Sequence, residues 1–195
     1  MALLMQTRNG TDQPGRQLTL DEYLALPEDT RAEVVDGVLR PMVRSNKKSR
    51  RVQRRLAGLL EQQLPRGLQV EIEEVVVLQA DPATSRIPDV VVFRRDADPT
   101  GESNSTHARD VLLVVEVVSP ASQTADRYEK PGAYARAGIP AFWRIELEPA
   151  ISVHVYRLID EVYRDEGVYT RGGLVKDPTL PWLSIEVNDL LGDHA

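Results

Sequence analysis

The chain lacks cysteine altogether, which excludes disulfide bridges and thiolate-bound metals and suits a reducing cytoplasm. It also lacks a long hydrophobic run. The apolar start Met1 to Met5 is too short for a signal-peptide core and has no basic lead, and nothing else approaches a membrane span. Excess positive charge is missing too: the net charge of −6 argues against a general electrostatic grip on nucleic acid. The three histidines, His107, His154 and His194, show no metal-ligand spacing and form no Ser/His/Asp set. There is no internal repeat, low-complexity stretch or dividing linker. A length of 195 residues therefore reads as a polar, mobile tail over 1–17 and one domain over 18–195, with the cytoplasm as the expected compartment.

What is present is segregated charge and alternating helix and strand signals. Lys47, Lys48, Arg50, Arg51, Arg54 and Arg55, with Arg44 just before them, crowd into one short segment, while much of the acid lies around 71–74 and 160–166. Thr19 and Glu22 form a capping box that starts a short helix ending at Pro27. Residues 32–40, turning at Asp36-Gly37, predict a tight β-hairpin. Val52, Leu56, Leu59 and Leu60 recur at helical spacing and predict a helix over 49–64, apolar on one side and cationic on the next. Pro65 and Gly67 end it.

Three strands are expected over 70–78, 87–93 and 111–118, the last two nearly all apolar, as in a sheet covered on both faces. A second helix is expected over 124–137, stopped by Gly138 and Pro140, and a second hairpin over 141–158. Short strands follow around Tyr163 and Tyr169, with Gly172-Gly173 as a turn, and a last one over 183–187. The order defines an α/β fold of mixed pairing.

Two acids break the apolar strands. Glu116 sits inside the run 111–118, and Asp89 stands at the head of the run 87–93. An unpaired ionised carboxylate in a central strand costs several kcal/mol, so each acid must be paired, protonated or bound to a cation. Two carboxylates aimed at one place from neighbouring strands suit magnesium, which takes one or two carboxylates plus waters and phosphate oxygens. The pair looks like half of a phosphodiester-cleaving site. The competing reading makes Asp89 ordinary turn chemistry after Pro88 and pairs Glu116 with Arg136 or Arg144.

The set Pro88-Asp89, Glu116-Val-Val-Ser119-Pro120, Asp126-Arg-Tyr-Glu-Lys130 and Tyr134-Ala-Arg-Ala-Gly-Ile139 resembles the Uma-two family of restriction-endonuclease-like proteins, within the PD-(D/E)XK nuclease superfamily. The likeness extends back through Ala32 to Gly37 and forward through Trp143 and Tyr156, covering nearly the whole chain. It implies a restriction-endonuclease-like core, a mixed β-sheet flanked by helices, with extra β-hairpins. It further implies Asp89 and Glu116 as ligands of magnesium (manganese as substitute), the Val117 carbonyl as another, DNA as substrate and a homodimer. The superfamily's lysine, two residues after the Glu, is replaced by Val118; in this family it comes from the following helix, where Lys130 is the candidate. Pro131 follows directly, so either the helix proper begins there or Lys130 sits on a strained first turn.

Weaker candidates complete the set. Glu73 is a possible further ligand on the polar face of its strand. Glu33, before the hairpin turn, and Asp126 and Ser119 are expected to support the ligands from behind, Asp126 and Ser119 also capping the second helix. Tyr134 and Trp143 read as core, and the arginine-rich helix as either a phosphate-binding face or a solvated one. Three functions remain open: a divalent-metal endonuclease, a catalytically inactive nucleic-acid-binding or interaction module on the same fold, and an unrelated metal-independent α/β binding protein.

Overall fold

The computed structural model describes residues 16–27, 30–42, 45–97, 100 and 103–192. Most of the expected tail, Arg44 and His194 lie outside the described residues. The short helix α1 (Leu20–Leu24) carries the expected capping box: the Thr19 side chain accepts from the Glu22 N–H, and the Glu22 carboxylate accepts from the Thr19 N–H. β1 (Ala32–Val35) and β2 (Val38–Pro41) form the first hairpin. Its two turn residues, Asp36 and Gly37, both have positive φ, 50° and 75°. This matches the right-handed strand twist and explains the Asp-Gly pair. Any side chain at Gly37 would collide with Gln17, whose Cβ stands 2.4 Å from where a new Cβ would be.

Helix α2 (Lys47–Glu61) starts two residues before the expected point because Asn46 caps it, its side chain accepting from the Ser49 N–H. Val52, Leu56 and Leu60 are buried on its inner face. The run expected as one strand over 70–78 is two: β3 (Leu68–Ile72) and β4 (Val76–Gln79), which belong to different sheets. Glu73, at φ 54°, turns the chain between them. β-Branched propensity carries no information about that switch. The remaining strands are β5 (Thr84–Arg86), β6 (Val90–Arg94), β7 (Thr106–His107), β8 (Val111–Val117), β9 (Ala141–Glu146), β10 (Ser152–Ile159), β11 (Val162–Thr170), β12 (Leu174–Asp177) and β13 (Leu180–Glu186).

The main sheet has the order β11-β10-β9-β8-β6-β3. All its pairs are antiparallel except β8 with β9, which are parallel and joined through the second helix. A smaller sheet, β2-β1-β5-β4-β7, stands beside it, and β12 pairs with β13. The second helix begins as a wide π-helical turn, Ala125–Glu129, and continues as α3 (Lys130–Arg136). The Lys130 N–H donates to Ala125 O, five residues back, and Pro131 falls in the first turn of α3. A proline has no N–H to donate, and the shifted ladder puts that missing donor where a helix needs none. Lys130 is thus helical, and the helix runs through it.

Strand alternation divides the core into two layers. Val90, Val92, Leu113, Val115, Val117, Trp143 and Ile145 face α2 and the β12–β13 hairpin. Val91, Phe93, Val114 and Phe142 face Tyr134 and Ile139 on the α3 side. No helix among the described residues is long and apolar enough to cross a membrane. Leu56 is fully buried between α2 and the sheet. We expect Leu56→Ala to lower the unfolding free energy by about 2–5 kcal/mol, seen as a lower urea midpoint with an unchanged slope.

Candidate active site

β6 and β8 bring the two acids together. Their register pairs Val90 with Val115, so one step further Asp89 stands opposite Glu116. Residues directly opposite in an antiparallel pair point to the same side. Both acids line one cavity of about 130 Å³, together with Glu33, Val117, Ser119, Asp126 and Lys130.

Each carboxylate is held by named donors. Asp89 Oδ2 accepts from the Val117 N–H at 2.6 Å, and its Oδ1 from Gln53 Nε2 on α2 at 2.5 Å. Glu116 Oε1 accepts from the Tyr134 hydroxyl at 2.6 Å, and its Oε2 from Lys130 Nζ at 2.9 Å. The ammonium also stands 3.1 Å from Asp126 Oδ1 and 3.7 Å from Glu33 Oε1. Glu33 is tied in turn to Arg86 Nη1 at 2.6 Å and to the Ile87 N–H at 3.1 Å. Asp126, Lys130 and Tyr134, four residues apart along the helix, converge on one side.

Carboxyl groups outnumber cations in this pocket: four buried carboxyls, Glu33, Asp89, Glu116 and Asp126, face two buried cations, Arg86 and Lys130. Asp126 Oδ1 is buried and has no hydrogen-bond partner, only the ion-pair contact with Lys130. Burial pushes the Asp89 carboxyl up to about 7, opposed by the Val117 N–H and by Lys130. Burial likewise raises Glu116 well above the carboxylate range, with Lys130 pulling the other way and Asp126 and Asp89 adding to the rise. Burial alone would depress the Lys130 ammonium; Glu116, Asp126 and Glu33 outweigh it and hold the lysine charged. All three groups are thus shifted upward within a single cleft, the two acids by burial and the lysine by its acidic neighbours.

These donors fit a hard divalent cation in one specific way. Among the described residues, no group of three or more His, Cys, Asp or Glu side chains is arranged to enclose a metal. A closed protein cage is therefore excluded for those residues. Two carboxylates completed by waters leave room only for an open divalent-cation site.

Several expectations need correction. Asp126 is no helix cap: the wide π turn carries it inward to Lys130. Ser119 and Ser122 close the turn after β8, their hydroxyls 2.9 Å apart. Glu73 does not share a strand face with Glu71 and does not line the cavity; its carboxylate pairs with Arg31 at 3.1 Å, and its N–H meets Asp89 O at 3.4 Å. Neither Arg136 nor Arg144 pairs with Glu116, whose cation is Lys130. Arg144 binds Glu146 at 3.1 Å, although its strand position is Glu116's neighbour in register. Val118 is buried and Trp143 is core, its Nε1 donating to Asp177. The basic segment is not one face: Lys48 reaches Leu147 O and Glu148, Arg50 folds back onto Ser45 O, and Arg54 and Arg55 point to a separate groove. Lys47 and Arg51 are exposed.

Three residues were missed as site members. Gln53 is the polar interruption of the apolar stripe, between Val52 and Leu56, and that interruption was a readable signal. Tyr134 stands one turn beyond Lys130 in the quoted motif. For Arg86 the sequence offers no signal.

The mixed sheet carries helices on both faces, and the two acids meet between adjacent central strands. A family model described as "Uma2: Putative restriction endonuclease" matches residues 20–188, and the chain belongs to that family. In fold it is similar to a solved structure from Anabaena variabilis, described as "a putative nuclease belonging to DUF820". The TM-score is 0.69 at 22% identity, covering 89% of this chain and 97% of that one. At that identity the likeness speaks for the fold alone. No curated protein matches the chain.

The raised Asp89 value has a consequence for stability. Between about pH 4, where an unfolded Asp releases its proton, and about 7, the folded protein holds a proton that the unfolded chain has lost. Without metal, stability therefore falls as pH rises through that window. We expect the urea midpoint of the metal-free protein to be lower at pH 8 than at pH 5, and Asp89→Asn to reduce the difference.

Proposed function

We propose that this protein is a divalent-metal-dependent endonuclease that hydrolyses phosphodiester bonds in DNA. One observation carries the reading. Asp89, just before β6, and Glu116 on β8 line one shared cavity in which buried carboxyl groups outnumber buried cations.

In this reading Asp89, Glu116 and the Val117 carbonyl hold magnesium, for which manganese can substitute. When bound, the ion supplies Lewis-acid charge and lowers the pKa of a water. The chain's own residues do the rest. The Val117 N–H and Gln53 fix the Asp89 carboxylate, and the Tyr134 hydroxyl fixes Glu116, so both acids are oriented before substrate arrives. Lys130 is kept protonated by its carboxylate neighbours, and in this reading its ammonium offsets the negative charge that grows on the phosphate during attack. It stands in for the lysine that Val118 replaces. A flexible stem lets an ammonium reach the site from a helix as well as from the strand.

The test is cleavage of supercoiled plasmid by purified protein with magnesium or manganese. Wild type should nick DNA and stop when EDTA is added. Asp89→Asn and Glu116→Gln should each abolish nicking. Lys130→Ala should slow it by about 10²- to 10³-fold, the usual loss when one positioned charge-stabilising donor is removed. DNA binding that survives all three substitutions, with no cleavage by wild type under any divalent metal, would identify an inactive binding module instead.

A further inference from the structure

A second concentration of charge lies on the outer flank of α2, away from Gln53. Arg54, Arg55 and Gly58 form one wall of an open groove of about 560 Å³, and Arg171, Asn188 and Asp189 form the other. Arg171 comes from the turn between β11 and β12, more than a hundred residues along the chain. That turn is fixed by Asn188, whose Oδ1 accepts from the Gly172 N–H at 3.2 Å. Arg55 Nη1 donates to the Asp189 carbonyl at 3.3 Å, which orients a guanidinium without neutralising it.

Among the described residues, none of these three arginines has a carboxylate within 4 Å, whereas Arg86, Arg127, Arg144 and Arg157 all do. Among the described residues that line the groove, three guanidinium groups stand against one carboxylate, Asp189, in a protein whose net charge is −6. Like charges brought together by two separate elements repel unless an anion joins them. The guanidinium fork matches the oxygens of a phosphate. Gly58 fits the same use. Glycine inside a helix weakens the helix, yet here nothing stands within 4 Å of where its Cβ would be, so the groove floor is left clear.

We propose that this groove is a docking site for the phosphate backbone of duplex DNA, gripped by Arg54, Arg55 and Arg171. The inference rests on the nuclease reading for its substrate. Gln53, which bonds Asp89, and Arg54 are consecutive residues of α2. One helix therefore carries both a partner of Asp89 and a wall of the groove.

The experiment measures binding without cleavage, by fluorescence anisotropy of a labelled duplex in EDTA over a range of salt. Wild type should bind with a steep salt dependence. R54Q/R171Q should lose at least tenfold in affinity at low salt, with the slope of log K against log salt reduced by about two, one for each arginine that no longer neutralises a phosphate. R164Q, an exposed arginine elsewhere, should leave both unchanged, and matching thermal melts would show that the variants fold. An unchanged slope in R54Q/R171Q overturns the proposal, as does a wild type that shows no salt-dependent binding. Polyglutamate displacing the duplex at equal charge would assign the groove to an acidic protein segment and overturn it too. The two readings fail separately. Plasmid nicking with an unaltered slope in the double variant removes the groove alone; groove-dependent binding without nicking under any metal removes the nuclease reading and leaves the groove.

Discussion

The structure turns on the crowding of buried carboxyl groups at the meeting point of β6 and β8. Taking a single unpaired carboxylate out of water costs several kcal/mol. Here Asp89 and Glu116 are both buried and stand opposite each other, with Asp126 and Glu33 close behind. The surrounding donors reduce that cost without removing it, and burial and mutual repulsion keep the two strand acids reluctant to ionise. A fold has little reason to maintain such a pocket for stability alone, since well-packed apolar residues would serve as well or better.

Much of the surrounding architecture can be understood as holding that pocket in shape. The parallel pairing of β8 with β9 requires a crossover, and the crossover helix passes directly over Glu116. Its π turn does two things at once: it accommodates Pro131 and swings Asp126 inward, so that Lys130 is held by acids from β8, the helix and β1. The small sheet contributes Glu33, braced by Arg86, and so ties its position to that of the lysine ammonium. On the opposite face α2 supplies Gln53 to Asp89. Helices on both sides of the sheet thus bond to the two acids that a flanked mixed sheet brings together.

The sequence made the elements legible where a single local rule decides them. Thr19 and Glu22 predict the cap they form, Asp36-Gly37 predicts the hairpin, and the continuous apolar runs of β6 and β8 predict strands covered on both faces. The family pattern of Pro88-Asp89, Glu116 and Lys130 was equally visible, and the family match bears out the resemblance. What stayed hidden depends on long-range geometry. The pairing of Asp89 with Glu116 is a register between strands more than twenty residues apart. The break of one β-branched run at Glu73 depends on a positive φ and a change of sheet. Asp126 looked like a helix cap because its inward turn follows from a π-helical step, which no residue periodicity announces.

The most direct measurement is a crystal of the protein soaked in manganese, with anomalous scattering used to locate the ion. A peak is expected within about 2.5 Å of an oxygen of Asp89 and an oxygen of Glu116. Manganese found only at surface acids, with both strand carboxylates still bonded solely to Lys130, Tyr134, Gln53 and the Val117 amide, would contradict the shared cation site.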